Sequence, residues 1–170
     1  HLLRVTELMA KIIPEKVLTN LNSVEIALLI LSAYFHDQGM VLDKNELETI
    51  KSEPKFVVFR DTWAIEHPNL KEIQIVLQDK SLGTQEKDRF RQMEQELFDG
   101  MLTDYIRQSH ANRSASFIRS NYSSDRLWEV AGVNLAIYVA KICESHALPA
   151  SDLIPEKGFN YDESIGQYKV

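Results

Sequence analysis

Ile26-Ala27-Leu28-Leu29-Ile30-Leu31-Ser32-Ala33-Tyr34-Phe35-His36-Asp37-Gln38-Gly39-Met40 is the stretch on which the reading of this chain turns. It is apolar nearly all round before it meets a histidine and an aspartate. Such a run predicts a central helix over 24–36, with Leu28, Leu29, Leu31 and Tyr34 largely buried. Gly39 is expected to end it as a C-cap. A carboxylate at the end of so apolar a segment is costly unless it is paired or bound to a metal. Imidazole and carboxylate are good ligands for first-row divalent ions. A satisfied His–Asp pair capping a core helix explains the dipeptide equally well, so its context has to decide.

Outward from that stretch, helical periodicity dominates. Leu2, Leu3, Val5, Leu8, Met9, Ile12 and Ile13 mark an amphipathic helix over 2–13, ended by Pro14. Asn22 or Ser23, with Glu25 in the first turn, starts the central helix. Asp43 caps a short helix after it. Between Pro54 and Gly83 the signal is weaker. Phe56–Phe59 and Ile73–Leu77 have strand composition, but no hairpin turn joins them. They read as helices over 55–66 and 69–79, separated at His67-Pro68, a helical insertion around 54–83.

A long helix follows over 84–109, capped at Thr84, with Gly100 as a possible kink site. His110 opens a further helix, 121–125 is a polar break, and 126–146 reads as a last apolar helix. The expectation is a single all-α domain over 1–170, with no repeats and no low-complexity tract.

Bulk composition narrows the function classes. The 44% hydrophobic content supports a real core. A formal charge of −6 argues against general nucleic-acid affinity, whose footprint is a basic face. It leaves room for a small phosphate-bearing ligand, because a metal supplies positive charge locally. The lone Cys143 lies in an apolar segment and reads as a buried, inert thiol in a reducing, cytoplasmic setting. No apolar run reaches the roughly 18 residues of a membrane span, and no signal peptide is visible. The first residue is His1 rather than Met, which reads as a piece of a longer chain.

Of the five histidines, His1, His36, His110 and His146 each sit at an end of an expected helix. Helix ends converge on one polar pocket more readily than mid-helix positions do. His67, before a proline in a polar stretch, reads as a surface residue. The ordered set His1-Leu2-Leu3-Arg4-Val5, His36-Asp37-Gln38-Gly39-Met40, Ile106 to Ala115 around His110, and then His146 resembles the HD superfamily of metal-dependent phosphohydrolases. It is most similar to the HD-CE type, often found beside GHKL-type ATPase modules.

That resemblance implies an HD-domain helical bundle holding one or two divalent ions, Mn, Fe, Zn, Ni or Mg. His1, His36 and Asp37 would be ligands, His110 and His146 would complete a second site, and Asp37 would bridge. Asp37 and His36 would be the catalytic residues, and Arg113 would fork onto a phosphate. The implied activity is hydrolysis of a phosphomonoester or phosphodiester of nucleotide type. The alternative is a non-catalytic regulatory module serving an adjacent ATPase domain.

Met40 departs from the Lys usual in the cyclic-dinucleotide branch, which argues against that substrate. The family's closing Asp on a later apolar helix has no counterpart before Val170. Asp152, Glu156, Asp162 and Glu163 lie outside any apolar helical frame, so the bundle reads as truncated before its last helix.

Overall fold

The computed structural model describes residues 2–154, 164–165 and 168–169. Among these residues the chain forms nine α-helices and two two-stranded ladders, so the all-α expectation holds. It divides into two compact units. One comprises His1–Val41 with Ser109–Val170, and the other is Leu42–Gln108. The helical insertion expected around 54–83 lies inside the second.

In the first unit, α1 (Leu2–Ile12), α2 (Glu15–Leu18) and α3 (Ser23–Phe35) lead into a 3-10 turn, Gln38–Met40. The chain re-enters the unit at α8 (His110–Tyr122). It then passes through the β1 (Glu129–Val130) and β2 (Val133–Asn134) hairpin to α9 (Ala136–Ser145). Further on, β3 (Ser164–Ile165) pairs antiparallel with β4 (Tyr168–Lys169).

Asn22 starts α3 with a capping box. Its Oδ1 accepts from the Val24 and Glu25 amides at 2.9 and 3.0 Å, and Glu25 Oε2 accepts from the Asn22 amide at 2.7 Å. Such a cap is worth about 1 kcal/mol. The core gathers Val24 and Leu28 of α3, Ala115 and Ile118 of α8, and Val139 and Cys143 of α9. Ala115, Ala136 and Ala140 are fully or nearly fully buried, and their small side chains let the three helices approach closely.

In this unit three expectations need correction. The central helix is not covered on all sides. Leu28 is buried, but Leu29 and Leu31 are half-buried and Tyr34 is 49% exposed. Ile26 and Ile30 also reach solvent, beside an apolar cleft of about 190 Å³ that α1 and α2 only partly close. Residues 126–146 do not form one helix. A 3-10 turn (Arg126–Trp128) and the β1–β2 hairpin occupy the first half, because Ala131 and Gly132 both take positive φ, 51° and 80°. That is the requirement of a two-residue I′ turn. Asn134 then starts α9, accepting from the Ala136 amide at 2.8 Å.

Gly39 is not a left-handed C-cap. His36 closes α3 in right-handed conformation, and Gly39 lies buried in the 3-10 turn. A Cβ there would lie 2.1 Å from the His110 carbonyl oxygen, so glycine is required for the turn to touch α8. Pro14 ends α1 as expected and stands at the N-cap position of α2.

The second unit contains α4 (Lys44–Ser52), α5 (Pro54–Glu66), α6 (Asn69–Gln78) and α7 (Thr84–Arg107). Asp43 caps α4 by accepting from the Glu46 amide at 2.8 Å. Pro54 opens α5 at the helix start, where a missing N–H does no harm. The cap of α7 is Gly83 rather than Thr84, with Glu86 reaching back to the Gly83 amide at 3.2 Å. The helix runs through Gly100 without a break. Phe56, Trp63 and Met101 anchor this core. His67 is half-buried rather than a free surface residue. Its ring stacks on Trp63 at 3.6 Å, and its Nδ1 donates to the Trp63 carbonyl at 3.0 Å. Among the described residues, no helix is long and apolar enough to cross a membrane.

Candidate metal centre

Three helix ends in the first unit bring the candidate ligands together. His36 and Asp37 follow α3, His110 opens α8, and His146 follows α9. The 3-10 turn is pinned to α8 by Ser114 and Arg113. Ser114 Oγ accepts from the Gly39 amide and donates to the His36 carbonyl, both at 2.7 Å. Arg113 Nε donates to the Gly39 carbonyl at 2.6 Å, and an Nη donates to the Val41 carbonyl at 3.1 Å. These bonds fix the backbone that carries His36 and Asp37. They set the guanidinium of Arg113, the residue expected to contact phosphate, against two backbone carbonyls.

Side-chain ligand atoms of Asp37, His110 and His146 all lie within 4.8 Å of one another. The His110 and His146 Nε2 atoms are 2.8 Å apart. His36 Nε2 is 3.0 Å from Asp37 Oδ2, and His110 Nε2 is 3.8 Å from Asp37 Oδ1. His36 joins the group, with its ring centroid 5.6 Å from that of His146. The remaining candidate, His1, lies outside the described residues, as do Glu156, Asp162 and Glu163. Asp152 falls in a short 3-10 turn, Ala150–Asp152, and is not among the clustered groups.

Ring orientation is set by the helices themselves. His36 Nδ1 lies 2.9 Å from the Ala33 carbonyl, and His146 Nδ1 meets the Cys143 carbonyl. A carbonyl only accepts, so each Nδ1 carries the hydrogen and each Nε2 is turned into the cluster. This is how metal-binding imidazoles are commonly held: one nitrogen donates to a fixed acceptor and the other offers its lone pair. Burial holds His146 below the ordinary imidazole value. The Cys143 carbonyl opposes that, the neighbouring His110 and His36 add to it, and Asp37 opposes it. The net effect favours the neutral, ligating form.

The close contacts have a further meaning. His110 Nε2 against His146 Nε2, and His36 Nε2 against Asp37 Oδ2, each set two lone-pair atoms face to face. Contacts this close between acceptor atoms need either a hydrogen or a shared cation between them. Bonds of roughly 2.0–2.2 Å to one ion span the cluster with small side-chain rotations. The donor set, imidazole nitrogen with carboxylate oxygen, suits a first-row divalent ion.

Sequence reading missed Ser114. It stands four residues after His110, on the same face of α8, and that spacing was the available signal. A helical bundle in which an adjacent His and Asp meet histidines from two other helices is an HD-type domain. The chain belongs to the HD-CE family, which it matches over residues 1–170. No curated protein and no solved structure matches it.

Proposed function

We propose that this domain hydrolyses a phosphomonoester or phosphodiester, of nucleotide type, with one or two divalent ions held by His36, Asp37, His110 and His146. The observation that carries the reading is the convergence of the His110 and His146 Nε2 atoms with the Asp37 carboxylate. A divalent ion bound there lowers the pKa of a water and offsets charge on phosphoryl oxygens. The chain's own residues supply position. Ala33 and Cys143 hold two imidazoles by their Nδ1 hydrogens, and Ser114 and Arg113 hold the turn that follows Asp37. The His110 side chain is 15% exposed and that of Asp37 36%, while His146 is exposed, so solvent reaches the cluster from the His146 side.

A second reading is that the domain regulates a neighbouring module, such as a GHKL-type ATPase in the same parent chain. It is favoured by the 3.0 Å pairing of His36 with Asp37, which satisfies both groups without an ion. A panel of nucleoside phosphates and cyclic nucleotides with Mn²⁺ or Ni²⁺, together with metal analysis of chelator-free protein, separates the two. Turnover that is lost in Asp37→Ala supports hydrolysis. No bound metal and no turnover, in this chain and in a longer parent alike, supports the regulatory module.

A further inference from the structure

The second unit carries a cleft of about 490 Å³ between α4, α5, α6 and α7. Sites for small molecules commonly measure about 300–1,000 Å³. Leu70, Phe98 and Met101 give it an apolar wall. Lys51 from α4, Arg60 from α5 and Arg91 from α7 line it as well, against one carboxylate, Glu94. Three cations about one cleft run against a chain whose overall charge is −6.

These cations are weakly committed. Lys51 pairs with Glu48 at 2.9 Å, Arg60 with Asp61 at 2.9 Å and Arg91 with Asp88 at 3.0 Å. All three acids are neighbours on the same helix and mostly exposed to solvent. Exposed pairs of this kind contribute about 0–1 kcal/mol, so an incoming anion displaces little. The Lys51 ammonium stands 5.4 Å from the centre of the Phe98 ring, so charge and an aromatic face meet at one place. Gln74 and Gln95 add amide groups to the lining.

An inorganic anion would leave the apolar wall unused, and an apolar ligand would leave the cations unused. We propose that this cleft binds a nucleoside phosphate. The base lies against Phe98, and the phosphates lie among Arg60, Arg91 and Lys51, where guanidinium forks suit phosphate oxygens. The site lies wholly within Leu42–Gln108 and needs neither a metal nor the His36–Asp37 cluster.

Calorimetric titration of the full chain with ADP in EDTA tests this. Saturable binding is expected. Arg60→Gln combined with Arg91→Gln should weaken it about tenfold or more, equivalent to about 1.4 kcal/mol. Both arginines are largely exposed, and a thermal melt of the double variant verifies that it is folded. Phe98→Leu should weaken ADP while leaving the weaker binding of pyrophosphate alone. No ADP binding at millimolar concentration, or unchanged affinity in the double variant, would overturn the proposal. Pyrophosphate binding as tightly as ADP would reduce the cleft to an anion patch and overturn it too. So would ADP binding that depends on Asp37 rather than on Arg60 and Arg91, since the nucleotide would then sit at the His–Asp cluster.

Discussion

Among the described residues two serines are buried in the first unit, and replacing each by alanine should have opposite consequences. Ser114 is fully buried and bonds both the Gly39 amide and the His36 carbonyl. Ser114→Ala leaves those groups desolvated and unpaired, which costs about 1–3 kcal/mol in urea unfolding. The Ser32 hydroxyl is buried with no partner among the described residues. Ser32→Ala therefore removes a desolvation penalty, and the variant should be neutral or more stable by up to about 1 kcal/mol. Equal losses at the two positions would contradict this. Cys143 gives a third test. Burial pushes its thiol up to about 12 from an ordinary value near 9.0. Below 9 both folded and unfolded chains keep the thiol proton. Above it the unfolded chain loses the proton first, so stability falls as pH rises towards 12, with a slope approaching about 1.4 kcal/mol per pH unit. Cys143→Ala should remove that part of the slope. The native thiol should also resist an aromatic disulfide reagent that labels the unfolded chain. The ligand candidates were legible because an adjacent His and Asp close an unusually apolar run, Ile26 to Leu31. Ser114 was not, since a serine inside a helix looks the same whether it binds two backbone groups or faces water.

At the scale of elements, periodicity carried the helices and failed where a local backbone requirement overrode it. Phe56–Phe59 and Ile73–Leu77 have strand composition but lie in α5 and α6, because no turn chemistry is available to pair them. The reverse happened after Trp128. Leu127, Val130, Val133 and Leu135 continue the apolar content of α9 towards its N-terminus, yet Ala131-Gly132 forms a tight turn and β1 pairs with β2. An Asn-Gly pair would have announced that turn, whereas Ala-Gly conceals it, since alanine tolerates positive φ poorly. Ala131→Asn should therefore stabilise the chain by about 1 kcal/mol in a thermal melt. A melting temperature that falls would show that the turn is not limited by its backbone conformation. α3 illustrates another limit. Its composition announced an element covered on every side, but composition does not say how many neighbours a chain will provide, and Ile26, Ile30 and Tyr34 stay exposed.

For the whole molecule, a ligand that binds only the folded state raises its stability by mass action, by about 2.7 kcal/mol at a hundred times the dissociation constant. Mn²⁺ or Ni²⁺ should therefore raise the melting temperature of the chain, EDTA should reverse the rise, and Asp37→Ala should show none. A metal-induced rise that survives Asp37→Ala would place the ion elsewhere. The all-α class and the meeting of Asp37 with His110 and His146 could be read from the sequence. The division at Leu42 and Ser109 could not, because no proline- or glycine-rich linker marks either junction. That division has a consequence for the newborn chain. A ribosome makes His36 and Asp37 early, then the whole of Leu42–Gln108, and only afterwards Ser114 and His146. Throughout that interval the Gly39 amide has water where its hydroxyl partner will be, and the histidines that meet Asp37 from α8 and α9 have not yet been made. If the cluster holds an ion, firm loading would therefore wait until translation has passed α9.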